Sequence, residues 1–147
     1  MIMTDAAALS FQDIKVGAVY EFEHKIRKEE VLSFAKLSGD YSPMHVDELY
    51  AKKSRFGKNI VHGMLAASFF STLVGMYCPG KKSLYLSQTV QFKLPIYYDD
   101  DLIVKGKVTE KNETTRIITL KTEIIKEGKI AINGEAKVKV MGEENEQ

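Results

Sequence analysis

From residue 83 onward the chain alternates. SLYLSQTVQFKL (83–94), DLIVKGKVTEK (101–111), TRIITLKTEII (115–125) and KIAINGEAKVKV (129–140) show period-two alternation or β-branched runs, with turn material at 95–101, 112–113 and 127–128 between them. The pattern predicts four consecutive antiparallel strands, one face on a core and the other on water. The first half is different. Residues 28–37, KEEVLSFAKL, put Val31, Leu32, Phe34 and Ala35 on one helical face, and Gly39 ends that helix. Residues 60–78, IVHGMLAASFFSTLVGMYC, contain no Lys, Arg, Asp or Glu and approach the length of a membrane span. His62, Ser68, Ser71 and Thr72 dilute the run, so it predicts a helix buried on most of its circumference and stopped by Pro79 and Gly80. A helix apolar nearly all round needs a wrapping, and the apolar face of the sheet is the obvious one. Smaller expectations complete the chain: a short strand or loop at 11–22, Asp47 as N-cap of a brief helix ELYAKK, a polar connection at 54–59, and a frayed acidic tail, GEENEQ.

Composition narrows the function classes. A chain of 147 residues fits one domain, long enough to bury roughly 68–70 per cent of the surface its unfolded form exposes. A net charge of +1, with lysines spread along the chain, points to neither a nucleic-acid binder nor a polybasic membrane anchor. Cys78 is the single cysteine, which rules out an internal disulfide and fits a reducing compartment. The start, MIMTDAAALSF, has no basic n-region and too short an apolar stretch for a secretory signal, so the cytoplasm is the expected location. Three histidines and one cysteine form no metal-ligand spacing, and no metal is expected.

One stretch does not fit a regular element. In SGDYSPMHVD (38–47), Asp40 and His45 are five positions apart, which separates them on a helix and puts them on opposite faces of a strand. Gly39 in front and Pro43 between them, which biases Ser42 to extended geometry, predict irregular backbone from 40 to 45. Such a loop can fold both side chains onto one point. Alone, Asp40 reads as a turn or capping residue and His45 as a satisfied loop partner.

Taken in order, Gly-Asp-x-x-Pro-x-His, a buried helix opening with Val-His-Gly, and a run of antiparallel strands resemble the MaoC-like (R)-specific enoyl-CoA hydratases of the hot-dog fold. Residues 34–47 resemble the hydratase motif of that family, 60–68 the start of its central helix, and 83–95 its next strand. The resemblance implies an α+β hot-dog domain with an antiparallel sheet around a long central helix, a homodimer, and hydration of trans-2-enoyl thioesters to (R)-3-hydroxyacyl thioesters. Coenzyme A or acyl carrier protein would enter only as part of the substrate, with no separate cofactor. Ser42 stands where the family usually has Asn, and a serine reaches less far.

That reaction needs a base for water, an acid for the α-carbon and a positive group facing the carbonyl oxygen. By the resemblance, Asp40 and His45 share the first two roles around one water. Gly63 suits the third: in the first helical turn its N–H lacks an intrahelical acceptor, the helix dipole favours negative charge, and the missing side chain leaves room for the thioester. Met64, Leu65, Ser68 and Phe69 are expected to shape the acyl pocket, though apolar residues on a central helix are first of all core. Lys52, Lys53, Arg55 and Lys58 form a basic stretch that reads as a solvated loop or as a contact for coenzyme A phosphates or an acidic carrier protein. His62 is expected to pack or hydrogen-bond at the helix start, and His24 to be exposed. Ser68 and Ser71 lack the Gly-x-Ser-x-Gly setting of a hydrolase nucleophile. Two rival readings keep the fold: a thioesterase, and a non-catalytic acyl-thioester binder or assembly subunit.

Overall fold

The structure is a computed structural model that describes residues 4–142, so all of the acidic tail except Gly142 lies outside the described residues. In chain order the elements are β1 (Val19–Lys25), α1 (Lys28–Ser38), α2 (Pro43–Val46), α3 (Glu48–Lys52), α4 (Gly63–Ala67), α5 (Phe69–Thr72), a π-helical turn (Leu73–Tyr77), β2 (Ser83–Gln88), β3 (Gln91–Phe92), β4 (Asp101–Asn112), β5 (Ile117–Lys126) and β6 (Lys129–Val140). The strands form one antiparallel sheet in the order β1-β4-β5-β6-β2, with β3 also on β6. It is the hot-dog arrangement: a curved sheet closed over a helix.

Alternation drives the wrapping. On β4, Leu102, Val104 and Val108 are buried while Lys107 and Glu110 face out. Gly106 lies on the same inner face, where a Cβ would come within 2.7 Å of the Leu73 side chain. A glycine there lets the helix press against the strand. The helical run 63–77 buries Leu65, Ala66, Ala67, Phe70, Leu73 and Val74 against residues of β1, β4, β5 and β6. Phe70 and Leu73, 1% and 0% exposed, each contribute roughly 1.5–3 kcal/mol through burial. Among the described residues no helix is long and apolar enough to cross a membrane.

Several expectations are corrected. The helix begins at Gly63, not at residue 60, because Ile60 and Val61 are extended: Ile60 bridges to Tyr97, and the Val61 N–H donates to the Ile96 carbonyl at 2.7 Å. Its last turn widens to π geometry before Cys78. The strand expected over 83–94 is two strands, since Thr89 turns back to bond Glu135 through both its N–H and its hydroxyl. A further strand, β1, pairs with β4 and runs past the stretch expected to hold it. Leu32, counted on the apolar face of α1, is 42% exposed, whereas Val31 and Ala35 are fully buried. His24 is not exposed. Period-two alternation puts it on the same face of β1 as Tyr20 and Phe22, where it bonds Glu30 at 3.0 Å and packs against Phe69.

Candidate active site

The site starts where α1 stops. Gly39, at φ 82°, takes the left-handed conformation that ends the helix, and the chain then turns tightly. The Asp40 N–H donates to Ser38 Oγ at 3.1 Å, and Asp40 Oδ1 accepts from the Ser42 N–H at 3.1 Å. Ser42 is extended, as a residue before proline should be, and Pro43 opens α2 at the position where its fixed φ suits a helix. The backbone from 40 to 45 is thus irregular only as far as Ser42, because Pro43 nucleates a helical turn where irregular chain was expected. That turn carries His45 back towards Asp40. The Asp40 carboxylate, a ring nitrogen of His45 and a ring nitrogen of His62 lie within 4.8 Å of one another.

The His45 ring is oriented by its environment. Its Nδ1–H donates to the Ile60 carbonyl at 2.8 Å, and since a carbonyl only accepts, Nε2 keeps the lone pair in the neutral ring. From below, the Asn59 amide donates to the carbonyls of Met44 (2.9 Å) and Asp47 (3.2 Å) and reaches that of Pro43 at 3.5 Å. The Tyr98 hydroxyl donates to the His45 carbonyl, and burial raises the Tyr98 pKa, which keeps it a donor. Asp47 caps α3 by accepting from the Tyr50 N–H at 3.1 Å. His62 is 2% exposed. Its Nε2–H donates to the Asp40 main-chain carbonyl at 3.0 Å, and its ring stacks on His45 with centroids 4.0 Å apart.

A cavity of about 450 Å³ opens beside His45, lined also by Arg55, Phe56, Gly63, Met64, Phe92 and Ile132. Gly63 is the first residue of α4, and a Cβ there would lie 2.6 Å from the Phe92 ring. Of the other expected pocket residues, Leu65 is in the core, Ser68 Oγ bonds back to the Leu65 carbonyl at 2.5 Å, and Phe69 packs on His24, so none of the three lines this cavity. Ser42 contributes its backbone N–H to Asp40 and its carbonyl to the His45 N–H. Lys52 and Lys58 line a separate depression of about 380 Å³ with Lys28 and Tyr98, and Lys53 lines neither. Cys78 is buried with its thiol pushed up to about 12 by desolvation, which leaves no thiolate for chemistry. The three donors of Asp40, His45 and His62 are close enough for a metal, but one nitrogen of each imidazole is already engaged by a main-chain carbonyl, His45 Nδ1 by Ile60 and His62 Nε2 by Asp40. A carboxylate and an imidazole this close, Asp40 and His45, can pass a proton between them.

Residues 11–130 match the family described as the MaoC like domain. The chain belongs to the MaoC-like family. It is 41% identical over 133 residues to an (R)-specific enoyl-CoA hydratase of Aeromonas caviae, covering 90% of this chain and 99% of that protein. An (R)-specific enoyl-CoA hydratase of Rhodospirillum rubrum is 36% identical over 88% of this chain and 90% of its own length. The solved structure of an unliganded R-hydratase from Pseudomonas aeruginosa superposes with a TM-score of 0.89 at 31% identity, covering 94% of this chain and 89% of that one.

Two supports of this MaoC-like site carried no signal in the sequence: Asn59 sits in a basic, polar stretch, and Tyr98 in a turn. Their importance lies in what they hold. Asn59 is 9% exposed and donates only to carbonyls. Asn59→Asp keeps its shape but turns a donor into an acceptor facing acceptors, a loss of about 1–3 kcal/mol or more for a buried group. The variant is expected to melt at least about 5 °C lower by calorimetry, and an unchanged midpoint would show that Asn59 does not hold α2.

Proposed function

We propose that this protein catalyses the reversible hydration of trans-2-enoyl thioesters of coenzyme A or acyl carrier protein to (R)-3-hydroxyacyl thioesters. The observation that carries the reading is the convergence of the Asp40 carboxylate and His45 within 4.8 Å, with His45 and Gly63 both lining an apolar cavity. A water held between Asp40 and His45 Nε2 gives a proton to the pair and its oxygen to C3, and the pair returns a proton to C2. No proton is gained or lost overall, and no separate cofactor takes part. As electrons move onto the thioester oxygen, the Gly63 N–H at the start of the helix stabilises the developing charge. In this reading Arg55, which lines the cavity with its guanidinium 4.9 Å from the Phe56 ring, meets the phosphates of the carrier, and Lys52 and Lys53 add positive charge from the same stretch of chain. The names of the Aeromonas and Rhodospirillum relatives support both the reaction and its (R) stereochemistry.

The working unit in this reading is a homodimer in the cytoplasm. Strand β2 is at the sheet edge and exposes Leu84 (47%) and Leu86 (48%), an apolar edge that a second copy would cover.

The deciding assay uses purified protein and crotonyl-CoA, following loss of the conjugated enoyl absorbance while a thiol reagent reports free coenzyme A. Absorbance is expected to fall without thiol release, and the product to be oxidised only by an (R)-specific 3-hydroxyacyl dehydrogenase. Thiol release in step with the absorbance loss would make the protein a thioesterase instead.

A further inference from the structure

His45 and Asp40 are anchored very unequally. The turn bearing His45 is tied to distant parts of the chain by the Ile60 carbonyl, by Asn59, by the Ile60 N–H to the Met44 carbonyl (3.3 Å) and by the Tyr98 hydroxyl. Around Asp40 the bonds are local. Ser38 Oγ donates to the Phe34 carbonyl, the Gly39 N–H to that of Ala35, the Asp40 N–H to Ser38, the Tyr41 N–H to the Gly39 carbonyl and the Ser42 N–H to Asp40 itself. Among the described residues, apart from the His45 N–H to the Ser42 carbonyl three positions on, one hydrogen bond crosses from this segment to the rest of the fold: His62 Nε2–H to the Asp40 carbonyl, across 22 positions of sequence. The Asp40 side chain is about half exposed, so packing does little to hold it.

His62 is well made for such an anchor. It precedes Gly63 at the start of the buried helix, it is 2% exposed, and its ring stacks on His45 at 4.0 Å and meets the Phe34 ring edge-to-face at 4.9 Å. Its other nitrogen, Nδ1, is buried without a hydrogen-bond partner. A buried acceptor left unpaired is costly, and the sequence retains it although an apolar ring of the same size would pack without that cost. What a phenyl ring cannot supply is the bond to Asp40.

We propose that His62 is the positioning residue that sets the Asp40–His45 separation, by donating its Nε2–H to the Asp40 main-chain carbonyl. It takes no proton from substrate or water. The stacked imidazoles are therefore opposite tautomers, His45 protonated on Nδ1 and His62 on Nε2, each tautomer dictated by a backbone carbonyl. This assignment rests on the hydratase reading for its kinetic consequence but not for its tautomer pattern.

Two variants and one spectrum test it. His62→Phe keeps a ring in the stack and removes the donor; a misplacement of about 1 Å at a reacting group can lower turnover about 10²-fold, and a fall of that order in kcat with crotonyl-CoA is expected, with KM within about threefold. His62→Gln puts an amide N–H close to the position of Nε2 and is expected to recover kcat to within about tenfold of the unmodified protein. Nitrogen-15 NMR of the unmodified protein, which needs no turnover, is expected to show His62 protonated on Nε2 and His45 on Nδ1 at neutral pH. His62 protonated on Nδ1, His62→Phe with full kcat, or His62→Gln as slow as His62→Phe would each overturn the proposal. If the unmodified protein hydrates no enoyl thioester, the hydratase reading fails, and the spectrum still decides whether His62 ties down Asp40.

Discussion

Asp40→Asn is expected to lower kcat for enoyl-thioester hydration by about 10² to 10⁴, the range typical of a lost proton-transfer group, while KM changes little. The structure explains why the loss should be confined to chemistry. The amide oxygen of Asn can still accept the Ser42 N–H that Asp40 Oδ1 accepts, so the turn after Gly39 keeps its bond. The Asp40 carbonyl still receives the His62 N–H, because that bond is made to the backbone. The side chain is about half exposed, and its approach to the buried His62 ring, Oδ2 to Nε2 at 4.0 Å, is longer than a hydrogen bond, so little packing is lost either. What goes is the negative charge and the basic oxygen beside the imidazole of His45. Circular dichroism and the melting curve should match those of the unmodified protein, and steady-state kinetics should place the whole defect in turnover. Activity within about tenfold of the original would leave His45 as the sole proton-transfer group and remove Asp40 from the mechanism.

The sequence showed the sheet better than the helix, and the reason is periodicity. Alternation in DLIVKGKV and GEAKVKV survives folding because each strand has one dry face, and the structure buries Leu102, Val104, Val108, Ala136, Val138 and Val140 accordingly, the phase breaking only at a register shift beside Ala131 and Ile132. The same rule, applied to VYEFEHK, would have placed His24 beside Phe22 on the inner face. An all-apolar run has no phase, so residues 60–78 could not reveal that Ile60 and Val61 are extended or which helix residues face the cavity. Met64 faces it, whereas Leu65 and Phe69 do not, a difference of one side-chain direction on a helix buried nearly all round. At the site, the approach of Asp40 to His45 was legible because glycine and proline constrain the chain between α1 and α2. Asn59, Tyr98 and the His62 bond were not, since each acts on a backbone carbonyl far away in sequence, and a carbonyl leaves no mark in the residue code.

Removing the N–H of Gly63 is expected to have the second large effect, and the geometry allows it to be done cleanly. Proline removes a backbone donor, and at the first position of a helix it breaks no intrahelical bond. The residue before it must be extended; His62, at φ −56° and ψ 128°, already is. The obstacle is Phe92, whose ring would stand 2.6 Å from any Cβ at position 63. Phe92 is 53% exposed, so Phe92→Ala relieves the clash with little loss of core. Within that background, Gly63→Ala adds a Cβ and keeps the donor, and Gly63→Pro adds a Cβ and removes it. The comparison isolates one N–H. If that N–H meets the thioester oxygen as charge develops, kcat of the proline variant should fall about 10² to 10³ below that of the alanine variant, with melting temperatures within a few degrees of each other. Equal turnover in the two would mean that the developing charge is stabilised elsewhere, and that glycine stands at position 63 only because the Phe92 ring fills the space a side chain would need.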